Sequence, residues 1–143
     1  MYKLSIKSKE RLKGVDSRLT SVVVRALELS TVDFSVLEGM RSTEQCFINY
    51  GKGRNATECM SGGCPVSYSN MKVGKVTWLK SALGSKHHTG KAVDLIPVPL
   101  DWSDIHSFDM IAAAMIKASK ELGIPIRCGK DFKSVDRPHF ELL

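Results

Sequence analysis

The sequence predicts an α+β fold, a small, largely antiparallel sheet flanked by helices, and three observations carry that expectation. Two long segments, residues 8–29 and 104–122, place apolar residues at helical spacing. Four short apolar runs, at 34–37, 92–98, 124–128 and 139–142, have the length of strands. Helices and strands do not alternate regularly, so the repeating βαβ units of a parallel sheet are excluded.

The first helical segment rests on Leu12, Val15, Leu19, Val22, Val23, Ala26 and Leu29, with charged residues between them. Gly14 and Asp16 are placed to divide it into a short and a longer helix. Phe34–Leu37 reads as a strand. Thr43–Tyr50 reads as a helix, with Ser42 or Thr43 as its N-cap and Gly51 as its stop. Residues 51–76 are rich in Gly, Ser, Asn and Lys. They read as a long loop with one helical turn near Val66–Met71. Residues 76–83 are apolar without a clear period. In 92–98, Ala92, Asp94 and Ile96 alternate with Val93 and Leu95. Apolar residues on both faces suit a central strand with Asp94 in a polar gap, and Pro97 and Pro99 end it. Ser103 is the expected cap of the second long helix, whose stripe is Ile111, Met115, Ala118 and Leu122, and Gly123 stops it. Ile124–Cys128 and His139–Leu142 complete the sheet.

A chain of 143 residues is expected to form a single domain with its own core. Its formal net charge is +6 and its pI about 9.2, which suits polyanionic surroundings: nucleic acid, anionic lipid or an acidic wall polymer. The charge reads as scattered. The densest cluster, Lys3, Lys7, Lys9, Arg11 and Lys13, is interrupted by serines and a glutamate and is no nucleic-acid tail. No segment has the pattern of a signal peptide or the length of a membrane span. Synthesis and retention in a cytoplasm are therefore expected, with release by another agent. The cysteines are Cys46, Cys59, Cys64 and Cys128. They form no CxxC pair, so a zinc ribbon is not indicated, and four free thiols are expected in a reducing cytosol.

The chemistry concentrates in two places. Ser85-Lys86-His87-His88-Thr89-Gly90-Lys91-Ala92-Val93-Asp94 sets an imidazole and a carboxylate around a glycine. Asp136-Arg137-Pro138-His139-Phe140-Glu141 adds a second imidazole and two carboxylates. Two imidazoles and one carboxylate suit a catalytic zinc with an open position. Gly90 permits a sharp path from His87 into the Asp94 strand. Pro138 suits a strand start, so His139 can pair beside Asp94. Asp136, three residues before His139, is placed as a general base. Glu141 shares a strand face with His139 and can orient it. The plain alternative for Asp94 is a salt bridge, and His88 and His106 read as ordinary surface histidines.

These residues resemble a known family. Ser85-x-His87-x2-Gly90-x-Ala92-x-Asp94 and Asp136-x2-His139 are similar to the two motifs of the VanY/D,D-carboxypeptidase group of zinc peptidases, a Hedgehog/D,D-peptidase-like fold. Within that group the chain resembles bacteriophage endolysins that are L-alanyl-D-glutamate peptidases. The likeness extends to Arg25–Ser30, Asp33-Phe34, Gly39-Met40-Arg41-Ser42, Asp101-Trp102, Lys120–Ile124 and His139–Leu142. It implies that His87, Asp94 and His139 bind one zinc ion and that Asp136 is the base. Arg41 would hold a substrate carboxylate or the developing oxyanion, its alternative being a surface salt bridge. Ser85, Gln45 and His88 are candidates for substrate contact. The loop at 51–76 is unexplained by the motifs, and the short Asp131–Asp136 segment leaves little room for a second ion.

The resemblance implies an endopeptidase that cuts the peptidoglycan stem peptide between L-alanine and D-glutamate and lyses the host cell. It would act as a monomer, without nucleic acid, stable membrane insertion or a separate wall-binding domain. The rivals are a D,D-carboxypeptidase or dipeptidase acting on D-alanyl-D-alanine, which needs the same metal centre, and a non-catalytic zinc-containing wall-binding module. A nucleic-acid-binding protein would account for the charge but leave Asp94 and Asp136 without a purpose.

Overall fold

The computed structural model describes Met1–Leu143, which divide into two compact units, Met1–Met40 with Gly90–Leu143, and Arg41–Thr89. The first unit contains α1 (Ile6–Arg11), α2 (Ser17–Leu29), β1 (Phe34–Glu38), β2 (Ala92–Pro97), α5 (Ile105–Leu122), β3 (Ile126–Cys128) and β4 (His139–Leu142). Its four strands form one antiparallel sheet in the order β1-β2-β4-β3. The predicted helix over 8–29 is indeed two helices: Asp16 accepts from the Arg18 N–H and starts α2 afresh.

α2 buries Leu19, Val22, Val23, Ala26 and Leu27. α5 buries Phe108, Ile111, Ala112, Met115 and Ala118. The two stripes share one core with Phe34, Val36, Val93, Leu95, Phe140 and Leu142 from the sheet. Burial of these groups is the main stabilising term of the unit. Outside it, Arg25 bridges α2 to Glu121 of α5 at 2.8 Å.

One helix start and one strand start differ in detail from expectation, while the expected stop of α5 holds. Asp104, not Ser103, caps α5. Its carboxylate takes the Ser107 N–H at 3.1 Å and the Ser107 hydroxyl at 2.6 Å, while the Ser103 hydroxyl donates to Asp101 at 2.7 Å. Gly123 ends α5 in the left-handed region, at φ 68°. The last strand before the terminal one begins at Ile126, two residues later than its apolar run suggests.

The second unit contains α3 (Thr43–Gly51), α4 (Ala56–Ser61) and a 3-10 turn at Val66–Tyr68. α3 matches expectation, with Ser42 as its cap. α4 lies within the predicted loop. It is started by a reciprocal capping box between Asn55 and Glu58. Tyr50, Cys59, Cys64 and Ala82 form its small core, flanked by Phe47 and Tyr68. All four cysteines of the chain are free thiols and buried. No helix is long and apolar enough to cross a membrane.

Candidate metal centre

β2 is an interior strand between β1 and β4, and five of its six residues are buried. Its one partly exposed position is Asp94, the expected polar gap in an apolar run. Asp94 pairs directly with His139 across the β2–β4 ladder, and Ala92 pairs with Glu141. Side chains two residues apart share a face, so Asp94, His139 and Glu141 emerge together. On the other side of β2 the register shifts between Val36 and Glu38, and this bulge lies opposite Asp94.

His139 is held at both ring nitrogens. Nδ1 lies 3.3 Å from Asp94 Oδ1 and Nε2 lies 2.8 Å from Glu141 Oε1. Burial opposes a charge on this ring, but the neighbouring Asp94 and Glu141 carboxylates outweigh it and raise its pKa above the ordinary histidine value. Glu141 is itself 7% exposed and faces Arg127 Nη1 at 3.8 Å. The Phe132 ring packs on the His139 imidazole with centroids 5.5 Å apart. Glu141 thus sits behind His139, where a carboxylate can fix the imidazole's tautomer, while Nδ1 faces Asp94.

His87 is 3% exposed, so it is no ordinary surface histidine. Its backbone is fixed from two sides. The His87 N–H donates to Ser85 Oγ at 3.1 Å, and the Arg41 N–H donates to the His87 carbonyl at 2.9 Å. Arg41 Nη1 reaches Ser85 Oγ at 3.5 Å. Ser85 therefore shapes the His87 turn. His88 faces Thr43 Oγ1 at 3.0 Å, and Gln45 donates to Asn49 at 2.8 Å along α3. Gly90 adopts φ +74°, and a Cβ there would lie 2.4 Å from the Gly14 carbonyl oxygen. Only glycine fits this corner, as the spacing of the motif requires.

The ligand atoms of His87, Asp94 and His139 all lie within 4.8 Å of one another. That separation and donor set, two imidazoles and one carboxylate, suit a metal ion with a position left for water or substrate. Asp136 is exposed and stands at the head of the turn into β4. Its N–H donates to the Gly129 carbonyl at 2.9 Å, and its carbonyl accepts from the His139 N–H at 3.1 Å. A Cβ on Gly129 would lie 1.9 Å from that Asp136 carbonyl, so Gly129 is a requirement of the corner that its sequence context does not announce. Arg137 is also unannounced: it ties the corner to α5 by donating to Asp109 at 2.6 Å.

The family described as "Phage L-alanyl-D-glutamate peptidase" matches residues 1–142. An L-alanyl-D-glutamate peptidase of Escherichia phage T5 is 31% identical over 144 residues, covering 99% of this chain and 89% of that protein. The crystal structure of the Serratia marcescens L-Ala D-Glu endopeptidase ChiX superposes with a TM-score of 0.69 at 30% identity, covering 99% of this chain and 90% of that one. A mutant of the vancomycin resistance D,D-pentapeptidase VanY, solved in complex with Zn(II), shares the fold at a TM-score of 0.54 and 18% identity, over 90% of this chain and 72% of that one. By the span of the family match and by its identity to the phage T5 enzyme, the chain belongs to the phage L-alanyl-D-glutamate peptidase family.

Proposed function

We propose that the protein is a zinc-dependent endopeptidase that cleaves the L-alanyl-D-glutamate bond of the peptidoglycan stem peptide and so lyses the host cell. The observation that carries this reading is the convergence of His87, Asp94 and His139, with Asp136 in the turn that delivers His139. A purely structural zinc is closed by four protein ligands, whereas three ligands leave a reaction position.

His87, Asp94 and His139 would hold one zinc ion, and Glu141 keeps the His139 ring oriented. Bound zinc supplies Lewis acidity toward the scissile carbonyl and acidifies water toward neutral pH. Asp136 takes the proton of the attacking water and returns it to the leaving amine. The Arg41 guanidinium, beside Ser85, holds a substrate carboxylate or the developing oxyanion. The enzyme would be made in the host cytoplasm and reach the wall after release. A monomer suffices, because all the assigned residues come from one chain.

The test is digestion of purified peptidoglycan, with and without chelator, read by mass spectrometry. New L-alanine C-termini and D-glutamate N-termini, lost on chelation, are expected; released D-alanine would establish D,D-carboxypeptidase action instead. Asp136→Ala should retain zinc and lose lysis by about 100-fold or more, the scale of general acid–base catalysis. Lysis at the wild-type rate by that variant would remove Asp136 from the mechanism.

A further inference from the structure

The charge that reads as scattered along the chain is concentrated in one unit. Residues 41–89 hold seven Lys and Arg against two Glu and no Asp, a net +5 of the chain's +6. Within that unit, the stretch Lys75–Lys80 has no regular secondary structure yet is ordered by burial. Val76 is 54% exposed, Trp78 is 78% exposed and Lys80 is exposed, while Thr77 and Leu79 turn inward. A period of two is that of an extended chain lying on a surface.

The backbone of this stretch is pinned from beneath. Arg54 is 5% exposed and stacks over the Tyr50 ring at 4.0 Å. It donates from Nη2 to the Thr77 carbonyl at 2.7 Å and from Nη1 to the Tyr50 carbonyl at 2.8 Å. The Tyr50 hydroxyl donates to the Lys80 carbonyl at 3.3 Å, and the Ala82 N–H donates to the Gly62 carbonyl at 2.8 Å. Burying a guanidinium is costly unless its donors are satisfied, and here they are spent on holding a loop. The result is a stiff ledge that keeps an indole in water, where a large apolar side chain gains nothing by itself. Just before this stretch, Lys72 lines an open pocket of about 460 Å³ with Lys52, Tyr68, Ser69 and Asn70.

We propose that the Val76–Trp78–Lys80 ledge docks the glycan strand of peptidoglycan, with Trp78 stacked on the apolar face of an amino-sugar ring. Lys52, Lys72 and Lys80 then meet the carboxylates of the stem peptides. The proposal rests on the peptidoglycan reading above and adds a binding surface for the polymer to the site that cuts it. A lipid surface fits less well. Pushing an extended chain without ladder partners into hydrocarbon would strand its N–H and C=O groups, whereas sugar hydroxyls can satisfy them. Four residues separate the ledge from the Ser85–His87 turn, so a strand held here is held close to the ligand loop in the sequence.

The experiment compares wild type, Trp78→Ala, Trp78→Phe and the Lys72→Gln/Lys80→Gln pair. Each full-length chain, held in chelator to stop turnover, is sedimented with purified peptidoglycan. The zinc-loaded forms are then assayed on intact peptidoglycan and on a soluble stem tetrapeptide. Trp78→Ala should weaken sedimentation by about tenfold, the factor that about 1.4 kcal/mol of lost contact carries. Activity should fall on the polymer more than on the tetrapeptide, and Trp78→Phe should recover most of the loss. The lysine pair should flatten the salt dependence of sedimentation. Unchanged sedimentation of Trp78→Ala overturns the proposal, as does an equal loss on polymer and tetrapeptide. Wild-type binding to phosphatidylglycerol vesicles that is lost in Trp78→Ala, with peptidoglycan binding intact, would assign the ledge to lipid. Failure of wild type to cleave either substrate would instead refute the peptidoglycan reading itself, and sedimentation reads the ledge separately.

Discussion

Gly90→Ala should destabilise the protein far more than the same change at Gly123, although both glycines have nearly the same backbone. Gly90 has φ +74° and Gly123 φ +68°. Placing an alanine in that left-handed region costs about 1–2 kcal/mol at either site. At Gly123 the added Cβ meets nothing within 4 Å, so that cost is the whole effect. At Gly90 the Cβ would lie 2.4 Å from the Gly14 carbonyl oxygen and 3.4 Å from Val15 Cα, both backbone atoms that no rotamer change can move. The corner must shift, and with it the bond from the Asp16 N–H to the Gly90 carbonyl, now 2.8 Å. Losing that bond adds about 0.5–1.5 kcal/mol. The expected totals are about 3 kcal/mol for Gly90→Ala and about 1.5 kcal/mol for Gly123→Ala, or Tm drops of about 9 °C and 4–5 °C for a chain of this size. Thermal melts of the metal-free proteins measure both. Coincident melting curves for the two variants would refute the steric reasoning, because the dihedral term alone predicts no difference.

Glu141→Gln should lower zinc affinity about 10–100-fold, the usual effect of removing the carboxylate behind a ligating imidazole, with the fold intact. Competition against a chromophoric chelator at pH 8 reads this, and unchanged affinity would show that Glu141 does not tune the ligand. The pH dependence of the metal-free protein follows from the raised pKa of His139. A raised folded-state pKa gives stability that is complete below the unfolded value of about 6.5 and is lost as pH rises through the folded value. Melting of the metal-free protein should therefore show a loss across that window that is absent in His139→Asn. With zinc bound the sign reverses, because ligands must be deprotonated and protons displace the metal as pH falls.

What could be read in the sequence was what short-range chemistry dictates. The Asp94 position was legible because a carboxylate in an apolar run demands a partner, and Gly90 because a motif turning from loop to strand needs a residue without Cβ. The α3 cap was legible to within one residue, as Ser42 or Thr43, and Ser42 fills it. The expected pairing of His139 beside Asp94 appears as direct register partners. The helix at Ala56–Ser61 was missed although its signal, Asn55 with Glu58 three residues later, was present; the Gly and Ser around it masked the period. Ser103 is the expected cap of α5, but Asp101 occupies its hydroxyl and the neighbouring Asp104 caps the helix instead. Gly129, Asp109 and Arg54 could not be read at all. Each acts on a residue distant in the chain, and nothing in its neighbours records the contact.

The Asp94–His139 pairing has a consequence for how the protein checks itself. Antiparallel strands can slide, and a slip of one residue would turn His139 to the opposite face and bring Phe140 to the metal side. The ligand set would then be broken while much of the ladder survived. If these residues hold zinc as proposed, metal binding would proofread the register of β2 and β4: the ion would add its free energy only to the correct alignment, and a misaligned sheet would fail to retain it.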